Sequence, residues 1–146
     1  MMDRKWRGHE LPPSQLALAR DRLAFFAKAI GETDPVYTDL AAARDAGYPD
    51  LPAPPTFLFA AEMDSGAVTR LCEQIGIPIA KLLHGEQGFT YHRSACAGDT
   101  ITVRSRVEDI YERKNGALEF AVKHSRATNQ HGELVAELRT VLVCRH

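Results

Sequence analysis

The sequence lacks any apolar run long enough to span a bilayer, and no apolar stretch follows the charges at its N-terminus. A membrane span and a secretory leader are therefore not expected, and a soluble, cytoplasmic protein is. There is no excess of either charge: 18 basic residues stand against 19 acidic ones, a formal charge of −1. So weak a field gives nothing to attract nucleic acid or an anionic membrane. Cysteine is scarce and odd in number, with Cys72, Cys96 and Cys144 in no metal-type spacing. Reduced thiols fit this better than a disulfide framework or a zinc site, and no metal or cofactor is expected. Internal repeats and low-complexity linkers are also missing, so 146 residues, 45% of them apolar, are expected to form one domain, residues 1–146, around one core.

The pattern that is present changes period partway along. Leu16 and Leu18 suggest a short strand over residues 15–19. Asp21 then starts a helix whose Leu23, Phe26, Ala27 and Ile30 recur at helical spacing, and Gly31 is a suitable stop. Asp39 can cap a short helix ending at Gly47, after which YPDLPAPP reads as a loop. Pro54-Pro55 lead into Thr56-Phe57-Leu58-Phe59-Ala60-Ala61, the expected start of a buried helix, and Val68, Leu71, Cys72 and Ile75 mark a further amphipathic helix.

From about residue 82 the period becomes two, and four strands are expected. The first covers residues 82–93. Ile101, Val103 and Val107 mark the second, Asn115-Gly116 signals a two-residue hairpin, and Leu118, Phe120 and Val122 share one face of the third. His124 continues that face and reads as an inward or interface histidine. The last run, ELVAELRTVLVCRH, is apolar on both faces and is expected inside the sheet. Helices followed by an antiparallel meander imply α+β, with a helix packed on a curved sheet.

Three spaced motifs, AIGETDPVYTDLAAARDAGYPDLPAPPTF (29–57), HGEQGFTYHRSACAGDTITVRSRV (84–107) and GELVAELRTVLV (132–143), resemble the MaoC-like hot dog family. The likeness is strongest to the N-terminal dehydratase-like half of double hot dog proteins and to HadA-type subunits of mycobacterial hydroxyacyl dehydratases. It implies a long central helix wrapped by an antiparallel sheet, and pairing of two units as a homodimer or with another hot dog chain. It also implies an acyl-CoA or acyl-carrier-protein thioester as ligand, and R-3-hydroxyacyl dehydration or trans-2-enoyl hydration as chemistry.

That chemistry needs a base for the α-proton, an acid for the departing hydroxyl and donors for the thioester oxygen. In active members of the family the loop reads Gly-Asp-x-Asn-Pro-(Leu/Val)-His. Aligned on Gly31 and Pro35, this chain has Glu32 for the Asp, Asp34 for the Asn and Tyr37 for the His. Glu is longer than Asp, and a misplacement of about 1 Å can cost on the order of a hundredfold in rate. A phenol, with an ordinary pKa of about 10 against about 6.5 for imidazole, is a poor proton exchanger near neutrality. Glu32 and Tyr37 are thus either an altered dyad or parts of a rigid turn.

Donors for the thioester oxygen would come from the amides of Thr56 or Phe57 beyond Pro55, though Pro54-Pro55 also serve simply to start a core helix. His84 and Glu86 alternate onto one strand face and form a second candidate pair, against a purely structural role in which Gly85 and Gly88 mark bulges. Arg104 and Arg106 read as a solvated strand face or as partners for coenzyme phosphates, and Cys72 as a packing residue. Three functions follow: a hydratase or dehydratase using Glu32, Tyr37, His84 and Glu86; a silent acyl-binding subunit whose partner supplies the Asp and His; and a hot dog thioesterase using Glu62 or Asp64.

Overall fold

The computed structural model describes residues 1–146 and has the helices before the long strands. A short strand β1 (Ser14–Ala17) precedes α1 (Arg20–Ala29) and α2 (Leu40–Asp45). A 3₁₀ turn, Pro55–Phe59, runs into α3 (Ala60–Asp64), followed by α4 (Ala67–Ile75). β2 (Leu82–Tyr91), β3 (Thr100–Arg113), β4 (Leu118–Thr128) and β5 (Leu134–Arg145) complete the chain. All pairings are antiparallel, in the order β1-β3-β4-β5-β2. β5 lies inside the sheet, as its two apolar faces imply, and β2 is an edge. The sheet curls around residues 55–75 in the hot dog arrangement.

Local chemistry accounts for each helix. α4 turns Ala67, Val68, Leu71, Cys72 and Ile75 into the core, one stripe at 3.6-residue spacing. Burial of residues such as Leu71 and Ile75 is worth about 1.5–3 kcal/mol each. Gly76, at φ 82°, ends the helix in the left-handed conformation that costs glycine least. The Asp39 carboxylate accepts from the Ala41 and Ala42 amides and so starts α2.

The long central helix implied by the resemblance is instead three pieces. Pro55 opens a 3₁₀ turn, and between α3 and α4 Gly66 stands at φ 70°, outside helical geometry. Ser65 holds that break: its hydroxyl donates to the Glu62 carbonyl at 3.0 Å and lies 2.8 Å from the Ser14 hydroxyl on β1. Two core clusters join the helices to the sheet. α4 meets Val107, Ile110, Ala121 and Leu142, and the Phe57–Ala61 segment meets Ile101, Val103, Ala127 and Leu138.

One strand expectation is corrected and another is made specific. The β3–β4 connection has four residues, not two, because Lys114, Asn115 and Gly116 are all at positive φ and Arg113 pairs with Leu118. Leu118, Phe120 and Val122 do share a face, but it is the outer one, where they pack on Tyr111, Val141 and Val143. His124 follows them outward, at 3.5 Å from the Glu137 carboxylate. The inward residues of β4 are Ala121, Lys123, Ser125 and Ala127, all buried.

Candidate functional site

The loop after α1 is shaped by its own carboxylates. Gly31, at φ 76°, turns the chain so that the Glu32 amide donates to the Ala27 carbonyl at 2.9 Å. Glu32 Oε1 then accepts from the Thr33 and Asp34 amides at 2.9 and 3.1 Å. Asp34 Oδ1 accepts from the Val36 amide at 3.1 Å, capping a 3₁₀ turn over Pro35–Tyr37. The loop is thus held as a backbone turn, and Oε1 of Glu32 is occupied in building it.

Tyr37 projects from this turn into a cleft of about 380 Å³. Tyr48, Pro54, Pro55, Tyr91 and His92 also line it. Burial, reinforced by the negative charge of Glu32 and by Tyr48 and Asp34, pushes the Tyr37 phenol above its ordinary pKa. At neutral pH it is a protonated hydroxyl that can donate a hydrogen bond but cannot act as a base. Across the cleft, the Tyr91 hydroxyl donates to the Pro55 carbonyl at 2.6 Å, and burial raises its pKa as well. That bond holds the start of the 55–59 turn.

The two amides considered as oxyanion donors are not equivalent. The Phe57 amide is taken by the Pro54 carbonyl at 2.9 Å. Thr56 is exposed at the first turn, which no side chain caps. It also lines a second, more apolar recess of about 530 Å³ with Phe25, Phe57, Phe59 and Met63. Phe25 is 74% and Met63 54% exposed, so this recess opens on solvent in the isolated chain.

His84 and Glu86 do not form a pair. The β2–β5 register slips between them at Gly85, where an added Cβ would meet Val143 Cγ2 at 2.8 Å. This bulge turns His84 toward the ring of Phe59, centroids 5.3 Å apart, with Nε2 3.1 Å from Gln87 Oε1. Glu86 instead accepts from Arg139 at 2.7 Å. Strict alternation along the strand had assigned them to one face, and a single extra residue removes that relation.

The carboxylates considered for thioester hydrolysis are also engaged. Asp64 accepts from both terminal nitrogens of Arg22, at 2.5 and 2.8 Å. Glu62, 1% exposed, forms an ion pair with the equally buried Lys123 and accepts from Ser105 at 2.6 Å. Ser105 and Ser125 hydroxyls lie 2.8 Å apart, and Lys123 Nζ is 5.8 Å from the Phe59 ring centre. Burial pushes the Lys123 ammonium down and Glu62 opposes that shift. Neither carboxylate is free to activate water.

Cys72, Cys96 and Cys144 are free and buried, and burial raises the thiols of the first two. They are packing residues. The donor atoms of Glu119, Cys144 and His146 lie within 4.8 Å of one another. Glu119 already accepts from the Met2 amide at 2.8 Å and lies 2.5 Å from His146 Nε2, so the group is satisfied internally.

Sequence reasoning missed Tyr91 and the Glu62–Lys123 pair. The available signals were a lone Glu in the apolar run before Met63 and a Lys whose same-face neighbours on an alternating strand, Ala121 and Ser125, are small.

Comparison with known proteins gives the same assignment from sequence and from shape. The family model "FAS1-like, dehydratase domain region" matches residues 5–138. A UPF0336 protein of Saccharopolyspora erythraea is 33% identical over 145 residues, covering 99% of this chain and 92% of the relative. One of Parafrankia sp. is 39% identical over 128 residues, covering 88% and 83%. The truncated HadBC (3R-hydroxyacyl-ACP dehydratase) complex from Mycobacterium tuberculosis superposes with a TM-score of 0.82 at 27% identity, over 94% of this chain and 96% of that one. A MaoC-like dehydratase gives 0.84 at 26%, over 96% of this chain and 42% of the other. With the hot dog sheet and these matches, the chain belongs to the FAS1-like dehydratase-region family of MaoC-like hot dog proteins.

Proposed function

We propose that this chain is the substrate-holding subunit of an R-3-hydroxyacyl-thioester dehydratase, forming one hot dog domain over residues 1–146. Its partner is a second hot dog chain that supplies the Asp and His of the proton-transfer loop. One observation carries the reading: the frame is intact, but Glu32 is bonded to its own loop amides and Tyr37 is held protonated. A phenol held protonated beside a carboxylate whose Oε1 accepts two loop amides is a poor pair for exchanging the α-proton. The chain instead offers a site for the acyl group, the apolar recess of Phe25, Phe57, Phe59 and Met63, with the Thr56 amide at its rim for the thioester oxygen.

The partner's seat is supported by the same region. β2 is an unpaired edge, Leu83 and Tyr91 on it are 51% and 47% exposed, and His84 on it touches Phe59 of the recess. A long edge strand beside an open apolar recess is a liability unless another chain covers it. The HadBC structure, a complex of hot dog chains, supports pairing of this kind. The acyl chain would then be enclosed between the two subunits, away from water.

The test is turnover of trans-2-enoyl-CoA, one short and one long, followed by loss of the conjugated thioester absorbance. The chain alone is expected to give no rate above buffer. Co-expressed with a hot dog chain carrying Gly-Asp-x-Asn-Pro-x-His, it is expected to co-purify and the pair to turn over. Turnover by the chain alone, abolished by Glu32→Gln, overturns the assignment.

A further inference from the structure

The outer face of β3 and β4 carries a group of cations that the thioester site does not use. Arg104 lies directly opposite Arg126, and Arg106 opposite His124. The intervening Ser105 and Ser125 point the other way, toward Glu62 under the sheet. All four basic residues therefore face away from the helices. Like charges directly opposite one another weaken a strand pair. Neighbouring charges are matched: Arg7 meets Asp109 of β3 and Arg139 of β5 meets Glu86, both at 2.7 Å. Arg104 and Arg106 have no carboxylate within ion-pair distance, and Glu137 is shared among His92, His124 and Arg126.

The segment before β1 turns this patch into a recess. Glu10 bridges to Arg106, and residues 10–13 wall off a volume of about 540 Å³ above the four basic side chains. Glu10 supplies the one carboxylate in its lining against three guanidinium groups. With Arg126 already partnered by Glu137, the forks of Arg104 and Arg106 remain to be filled, and the several oxygens of one phosphate can accept from both guanidinium groups at once.

We propose that this recess binds a phosphate group, either inorganic or borne by a nucleotide. The site lies apart from the Gly31–Tyr37 loop and the 55–59 turn, and the inference does not rest on the acyl-thioester reading. The bound anion would relieve the Arg104–Arg126 opposition that the free chain tolerates.

The test is a heteronuclear NMR titration of the full chain with inorganic pyrophosphate and, separately, adenosine 3′,5′-bisphosphate, against sodium chloride at matched ionic strength. Saturable shifts centred on residues 104, 106, 124 and 126 are expected. Saturation by pyrophosphate indicates recognition of the phosphate itself; saturation by the nucleotide at distinctly lower concentration indicates that the nucleotide is its source. Arg104→Gln is expected to weaken binding about tenfold through loss of one charge-assisted contact. Because a repulsion is removed, its melting temperature in phosphate-free buffer should equal or exceed that of the unaltered chain. Shifts that do not saturate, that chloride reproduces, or that persist at unchanged affinity in both Arg104→Gln and Arg106→Gln overturn the proposal.

Discussion

The residues that depart most from an ordinary core are Glu62 and Lys123, two opposite charges at 1% exposure between α3 and β4. Removing one partner strands the other in an apolar interior, a cost of about 3–5 kcal/mol. Glu62→Gln is therefore expected to lower unfolding free energy by about 3 kcal/mol in urea titration. Glu62→Leu with Lys123→Met should recover most of that, since Ser105 and Ser125 still bond one another. An equal loss in single and double variants would show that the pair itself stabilises the fold.

A surface pair offers a pH test. Asp50 accepts from Arg20 at 2.6 and 3.0 Å, and from its neighbour's Leu51 amide at 2.7 Å, which lowers its pKa from 3.8 to about 2. Its side chain is 18% exposed and that of Arg20 54%, so screening reduces the contribution to about 1 kcal/mol. The folded pKa is depressed, so this stability is present above the unfolded value near 4 and is lost as pH falls from 4 toward 2. Asp50→Asn should lower the melting temperature at pH 7 and make a much smaller difference near pH 2.

At the scale of elements, the bulge in β2 decides which residues meet. Gly85→Ala would drive a Cβ to within 2.8 Å of Val143 Cγ2 and 3.3 Å of the Val141 carbonyl oxygen. The expected cost is about 1–3 kcal/mol, read as a lower thermal midpoint. Sequence alone revealed a good part of this level. The stripe from Val68 to Ile75, the Asp39 cap and the Gly31 stop are local signals, and local chemistry determines them. The bulge, the break at Gly66 and the outward turn of Phe120 and Val122 depend on tertiary packing that periodicity does not encode. For the same reason Glu32 and Tyr37 were legible as loop residues, while the amide bonds to Glu32 and the Tyr91–Pro55 contact were not.

For the molecule as a whole, an unpaired β2 edge beside an open recess lined by Phe25 and Met63 predicts association. Leu83→Lys on that edge is expected to shift sedimentation of the pair toward single chains and to lower turnover in proportion, leaving the fold of each chain unchanged. The most direct measurement of the central claim is turnover of the two-chain complex after Glu32→Gln and Tyr37→Phe are made together in this subunit. Activity within about threefold of the unaltered complex is predicted, with loss of about a hundredfold or more when the partner's loop Asp is replaced by Asn. A comparable loss from the Glu32 and Tyr37 changes, with the partner's Asp dispensable, would contradict the account.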